Sequence, residues 1–183
     1  MVNEIDEKIL LLSCCAPCAC AVIKKMHDEG VNFAVVFYNP NIYPISEYQK
    51  RCDEQKKLCK MWKIEFIELE YNTKDWGDAT KEYRNEPERG KRCSICFEFR
   101  IRRVMEYAKS LGIKKVASVL GVSRWKDLNQ VNEAGNRAFL ETGVEYVQIE
   151  GRKGGMQEKR QQLIKELDLY NQEYCGCVYS MKK

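Results

Sequence analysis

With 183 residues, 44% of them hydrophobic, the chain is long enough to bury one proper core and short enough to predict a single domain over residues 1–183. No window approaches the length of a membrane span, and the first eight residues lack the basic start and apolar core of a secretory signal, so the sequence predicts a cytoplasmic protein. In that compartment ten cysteines point to metal or redox chemistry rather than a disulfide framework, and a net charge of +4, from 31 basic and 27 acidic residues, permits a nucleic-acid partner without demanding one.

Ile9 to Leu12, charged in front and followed by Ser13, reads as a buried strand of a parallel sheet. A helix follows at once. Pro17 suits its first position, Ala19, Ala21, Val22, Ile23 and Met26 form its apolar stripe, and Gly30 stops it. Cys14 and Cys15 therefore occupy a strand-to-helix turn, at the edge where open α/β sheets bind ligands and helix N–H groups attract anions. Val31 to Phe37 is a second strand, and Tyr38-Asn-Pro-Asn-Ile-Tyr-Pro44 is an ordered loop at the same edge. Ser46 and Gln49 predict a capping box opening a helix to about Trp62, on which Cys52 and Cys59 read as small buried hydrophobes.

Ile64 to Leu69 forms a third strand. Tyr71 to Arg92 is long and charged, and reads as a small inserted lobe with a short helix from about Trp76 to Arg84. It ends at Arg89-Gly-Lys-Arg-Cys-Ser-Ile-Cys96, before a helix whose Phe97, Ile101, Val104, Ala108 and Leu111 share a face. Lys115 to Leu120 is a fourth strand, leading through Gly121-Val-Ser-Arg-Trp-Lys-Asp127 to a helix ending near Thr142. A fifth strand over Val144 to Ile149, a helix from about Met156 to Leu169 and a cysteine-bearing tail, 170–183, returning to the active edge complete the chain. The class is α/β: a Rossmann-like five-stranded parallel sheet with helices on both faces. It has no G-x-G-x-x-G and no G-x-x-x-x-G-K-[ST], so dinucleotide and P-loop chemistry are not supported.

The cysteines fall into three groups: Cys14, Cys15, Cys18 and Cys20; Cys93 and Cys96; Cys175 and Cys177. A C-x-x-C pair at a helix start converges two sulfurs where free N–H groups offset thiolate charge. Two such elements supply four sulfur ligands, which suit tetrahedral zinc or a 4Fe-4S cluster, and spacing alone does not separate them. Cys175 and Cys177, one residue apart, form a strained, reducible pair or hold a second metal. Cys15-Ala-Pro-Cys18 also matches a thioredoxin redox motif, and a thiol-disulfide oxidoreductase and a zinc-stabilised binding module stand as alternatives. His27 is the sole histidine and sits on the polar side of its helix, which argues against histidine-based catalysis. Asp127 reads as an N-cap, a proton donor or an iron ligand. Arg89, Lys91 and Arg92 beside Cys93, with Arg124, Trp125, Arg152 and Lys153 at strand ends, make the edge basic and partly aromatic, which suits a phosphate backbone and a splayed base.

Cys14-Cys-Ala-Pro-Cys18, Phe37-Tyr-Asn-Pro-Asn-Ile42, Arg92-Cys-x-x-Cys96 followed by Arg100, and Tyr174-Cys-Gly-Cys-x-Tyr-Ser180 together resemble the cobalamin-independent epoxyqueuosine reductases of the QueH family, in the right order over nearly the whole chain. The resemblance implies a fold related to the adenine-nucleotide α-hydrolase group and the last step of queuosine synthesis, removal of the epoxide oxygen at the tRNA wobble position. It implies Cys14, Cys15, Cys93 and Cys96 as ligands of a 4Fe-4S cluster. Cys175 and Cys177 become a redox pair or ligands of a second, mononuclear iron. The family's usual Ser-Pro-Tyr-Gln-Asp stretch stands here as Ser123-Arg-Trp-Lys-Asp127, with the aspartate kept. Cysteines replace the Ser-Gly-Gly-x-Asp-Ser type loop of ATP-using relatives, so ATP is not expected. The implied partners are tRNA and an electron donor, with no membrane.

Overall fold

The computed structural model describes residues 7–181. Its elements are β1 (Ile9–Ser13), α1 (Ala16–Asp28), β2 (Phe33–Phe37), α2 (Ile45–Met61), β3 (Glu65–Glu68), α3 (Thr73–Thr80), α4 (Lys91–Ser110), β4 (Lys115–Ser118), α5 (Leu128–Thr142), β5 (Glu145–Val147) and α6 (Met156–Glu166). All four strand pairings are parallel, in the order β3-β2-β1-β4-β5. The α/β class and the five strands thus stand as the sequence predicts.

Hydrophobicity explains the order. Leu10, Leu11 and Leu12 of β1 are fully buried, as are Ala34 to Phe37 of β2 and Val116 and Ala117 of β4, so the three most apolar strands lie in the middle. The edge strands β3 and β5 are short and carry exposed Glu65, Glu68 and Glu145, which blunts both edges against further pairing. Right-handed crossovers place α1 and α2 on one face, where α6 joins α1, and pack α4 against α5 on the other.

The chain leaves β1 toward β2 on one side, and returns to β4 on the other. β1 and β4 therefore flank the point where strand order reverses, and a crevice opens between the turns that follow them. The inserted lobe is α3 with a short 3-10 turn, Lys81–Tyr83, and it lies against α4. Asn72, not a residue near Trp76, opens α3, because its side chain accepts from the Lys74 and Asp75 N–H groups.

The expected capping box at Ser46 is absent. Pro44 precedes α2 in extended conformation and its carbonyl accepts from Glu47 and Tyr48, while Gln49 bonds Asp53 at 3.0 Å. Leu111, expected on the buried face, follows the last residue of α4 and is exposed. Cys52 and Cys59 are fully buried, as small hydrophobes should be. No helix among the described residues is long and apolar enough to cross a membrane.

Packing of α5 on β5 generates a test. A Cβ on Gly135 would collide with the Tyr146 ring, whereas one on Gly77 in α3 meets nothing within 4 Å. Gly135→Ala is expected to destabilise by roughly 1 to 3 kcal/mol, and Gly77→Ala to stabilise by about 0.5 to 1 kcal/mol, as read by denaturant unfolding.

Candidate metal centre

Strand β1 delivers Cys14 and Cys15 into the crevice, and the first turn of α1 adds Cys18. Their three sulfurs lie within 4.8 Å of one another, and each of these residues is at most 4% exposed. Cys15 precedes α1 in extended conformation and its side chain caps nothing, so the first N–H groups of the helix keep no side-chain acceptor. All ten cysteines are free thiols, so this trio is a donor set that fits a metal ion.

The sulfurs differ in acidity. Hydrogen bonds from Cys15 and Cys18, with Lys126 adding attraction, hold Cys14 well below the ordinary thiol pKa in spite of burial. Burial pushes Cys15 well up, and the bond Cys18 makes to Cys14 helps push Cys18 up to about 12. Cys14 is thus the readiest of the three to ionise. The Lys126 ammonium donates to the Cys14 sulfur at 3.8 Å, and the Gln172 amide donates to the Cys15 sulfur at 2.9 Å.

Cys93 and Cys96 occupy the first turns of α4, whose N-cap, Gly90, again supplies no side-chain cap. A cavity of about 360 Å³ joins the groups: Cys14, Cys18, Cys93, Cys175 and Cys177 all line it, with Lys126, Arg92, Trp125 and Gln172. Cys96 lies behind, packed with Trp76, Phe99 and Cys177. Burial raises the pKa of Cys93, Cys96 and Cys177. Among the described residues the buried Trp76 indole N–H has no hydrogen-bond partner. The expected quartet therefore divides. Cys14 and Cys15 join Cys18, while Cys93, on the cavity wall beside the tail, and Cys96, behind it, stand outside that trio. The spacing that brings in Cys18 is visible in the sequence, since three residues along a helix return to the same face.

The tail lines the crevice through Gln172 to Cys175, Cys177 and Ser180. Buried Arg51 donates to Glu47 at 2.7 Å and to the carbonyls of Cys175 and Tyr174 at 3.0 and 3.1 Å. Tyr43 N–H bonds the Gly176 carbonyl at 2.8 Å. Gly176 has φ +119°, and a Cβ there would come within 3.0 Å of Ile42 and 3.1 Å of Arg51, so only glycine lets the two cysteines sit so close to α2.

Other expected site residues have different work. Asp127 caps α5, accepting from Asn129 and Gln130 N–H at 2.8 and 3.3 Å, and does not line the cavity. Arg92, 3% exposed, donates to the carbonyls of Tyr83, Arg84 and Glu86 and lies over the Tyr179 ring. Arg89 holds the carbonyls of Trp125 and Arg124, and Arg152 those of Gly121, Ser123 and Lys126. These guanidinium groups clamp loops. Lys91 lies over Tyr83, and Lys153 pairs with Glu150 at 3.6 Å. Arg124 and Trp125 are exposed, Trp125 by 81% at the cavity mouth.

The fold and site define a Rossmann-like protein with a cysteine-walled ligand crevice at the switch point of its sheet. A family model for epoxyqueuosine reductase QueH matches residues 9–183, and the chain belongs to that family. A Histophilus somni protein called epoxyqueuosine reductase QueH is 43% identical over 96% of this chain and 73% of its own length. Relatives of the same name from Acinetobacter baylyi and Thermotoga maritima are 40% and 34% identical, over 96% and 94% of this chain and 81% and 90% of their own. The fold is similar to the crystal structure of a predicted subunit of tRNA methyltransferase from Methanocaldococcus jannaschii, with TM-score 0.53 and 12% identity over 96% of this chain and 98% of that one.

The Arg51 clamp is testable. In Arg51→Leu the tail loses two charged hydrogen bonds and Glu47 loses its cation, keeping only the Tyr170 hydroxyl, for a cost of about 3 to 5 kcal/mol. Alkylation of Cys175 and Cys177 in metal-free protein, resolved by mass spectrometry, is expected to accelerate while that of Cys59 does not.

Proposed function

We propose that this chain reduces epoxyqueuosine to queuosine at the wobble position of tRNA, as the last step of queuosine synthesis. The epoxide takes up two electrons and two protons, leaves an alkene and releases its oxygen as water. The observation that carries this reading is the cysteine-walled cavity at the sheet's switch point, in a chain of the epoxyqueuosine reductase QueH family. Cys14 and Cys15 with Cys93 and Cys96 would hold a 4Fe-4S cluster, and Cys175 and Cys177 would serve as a dithiol or hold a further iron. An iron-sulfur centre supplies electrons one at a time and a Lewis-acidic iron. The chain's own residues give the rest. The uncapped starts of α1 and α4 and the donors Lys126 and Gln172 offset negative charge on sulfur, and the strapped tail walls the cavity against water.

The trio within 4.8 Å supports a second reading, a single tetrahedral ion such as zinc. Metal and sulfide analysis of anaerobically purified protein decides between the two. About four irons and four sulfides with broad visible absorbance follow from four-cysteine cluster ligation; one zinc in a colourless protein removes the cluster. Cys93→Ser and Cys96→Ser are expected to lose the colour and Cys59→Ser to keep it. Cys175→Ser is expected to keep the colour and lose deoxygenation, so full turnover in that variant would reduce the tail to a structural part.

Substrate grip falls to the exposed residues at the cavity mouth. Trp125 offers a face on which a splayed base stacks, worth about 1 to 3 kcal/mol, and Arg124 offers a phosphate contact. Trp125→Ala is expected to weaken tRNA binding roughly tenfold, and Arg124→Ala to lower the log-log salt slope by about 0.7, neither changing the melting temperature. Arg152→Ala is expected to lower the melting temperature, because three loop carbonyls lose their donor. tRNA affinity unmoved by Trp125→Ala would place recognition inside the cavity.

A further inference from the structure

Lys126 stands in the turn after β4, the strand beside β1, so its side chain crosses the crevice to Cys14. Its stem keeps some solvent contact, but its ammonium end is enclosed on the cavity wall. Burial opposes its charge, and attraction to the Cys14, Cys175 and Cys18 sulfurs outweighs that opposition, while Arg100 repels it. Arg100 is 1% exposed and donates only to neutral oxygens, the Tyr38 carbonyl and the Asn39 side chain.

Among the described residues neither Lys126 nor Arg100 has a carboxylate within ion-pair distance. Glu88 and Glu173 also line the cavity, yet both are exposed, where water and salt screen them. Another cation on this side, Arg51, is answered by Glu47 at 2.7 Å. Lys126 and Arg100, like Arg92 on the same cavity wall, are enclosed cations without an acid partner among the described residues, which is costly unless an anion sits among them. The sulfurs by themselves supply at most one such charge, at Cys14. Four thiolates around an oxidised 4Fe-4S core supply more: the assembly is a dianion, and it gains a third negative charge on taking up an electron.

We propose that Lys126, backed by Arg100, is a built-in counter-charge for an anionic iron-sulfur centre and raises its reduction potential. This rests on the cluster reading above. A fixed cation beside Cys14 stabilises the more negative, reduced form more than the oxidised one, so the net charge of the surroundings moves the potential upward. Lys126 acts through the cofactor and is a positioning residue in the electrostatic sense.

The test is a potentiometric titration of the metal-loaded protein under anaerobic conditions, followed by electron paramagnetic resonance, with iron and sulfide measured on each sample. In Lys126→Gln and Lys126→Met the reduction equilibrium is expected to fall at least tenfold, about 59 mV toward negative potential for a one-electron couple. Lys126→Arg is expected to stay near the parent. Neutral variants with full iron content and the parent's potential overturn the proposal. If the neutral variants fail to hold the cluster while Lys126→Arg holds it, the counter-charge is needed for assembly as well and the proposal stands. If Lys126→Arg also loses it, the requirement is one of shape and the proposal falls. A parent protein with no reducible centre removes the cluster reading, and this inference with it; an unshifted potential removes the inference alone.

Discussion

Sulfur that is to carry negative charge out of contact with water needs donors and cations fixed around it beforehand, and the architecture is arranged to meet that need. The central strand β1 ends on Cys14 and Cys15 because its neighbours β2 and β4 bury it on both sides. The turn after β2 contributes Asn39, which donates to the Ser13 carbonyl at 3.0 Å and accepts from Arg100. The turn after β4 contributes Lys126, and α4 brings in Cys93 and Cys96 on an uncapped first turn. The turns after β1 and β4 thus fix where the cavity lies, in keeping with the strand order, and α4 and the tail complete its walls.

Much of the positive charge that looks available for nucleic acid is used inside the fold. Arg51, Arg89, Arg92, Arg100 and Arg152 all point guanidinium N–H groups at carbonyl oxygens of loops or the tail. A planar fork with five donors satisfies several carbonyls at once, so these irregular segments are ordered without secondary structure of their own. What remains at the rim is sparse: one exposed indole and a few exposed basic side chains. Such a surface fits a partner held at a single splayed base, with phosphates steering rather than specifying.

The parts of the fold set by hydrophobic period were legible in the sequence. β1, β2 and β4 are unbroken apolar runs, α1 and α4 carry 3.6-residue stripes, and Gly30 and Gly143 stop helices in the left-handed conformation. The α2 start was not legible in that way, because Pro44 in extended conformation competes with a Ser46 cap and wins. The cysteine groups were legible as groups, but the division of Cys14, Cys15 and Cys18 from Cys93 and Cys96 depends on how far α4 stands from α1, which no spacing encodes. Charge was least legible of all. Lys126 is one of 31 basic residues in the sequence, and only the crossing from β4 to Cys14 distinguishes it. Arg152 looked like its exposed neighbour Lys153 until three carbonyls proved to surround it.

The strap formed by Arg51, Tyr43 and Gly176 has a bearing on when the site comes into being. Strand pairing is complete by Val147, whereas the remaining cavity wall comes from Gln172 to Cys177, far along the chain. Sheet formation and wall closure are therefore separable events, and closure, which joins residues more than a hundred positions apart, is the entropically slower of the two. In the interval between them the first thiols stand at an open crevice rather than in a chamber. The crevice is at its widest then, and the arriving tail is the part that narrows it.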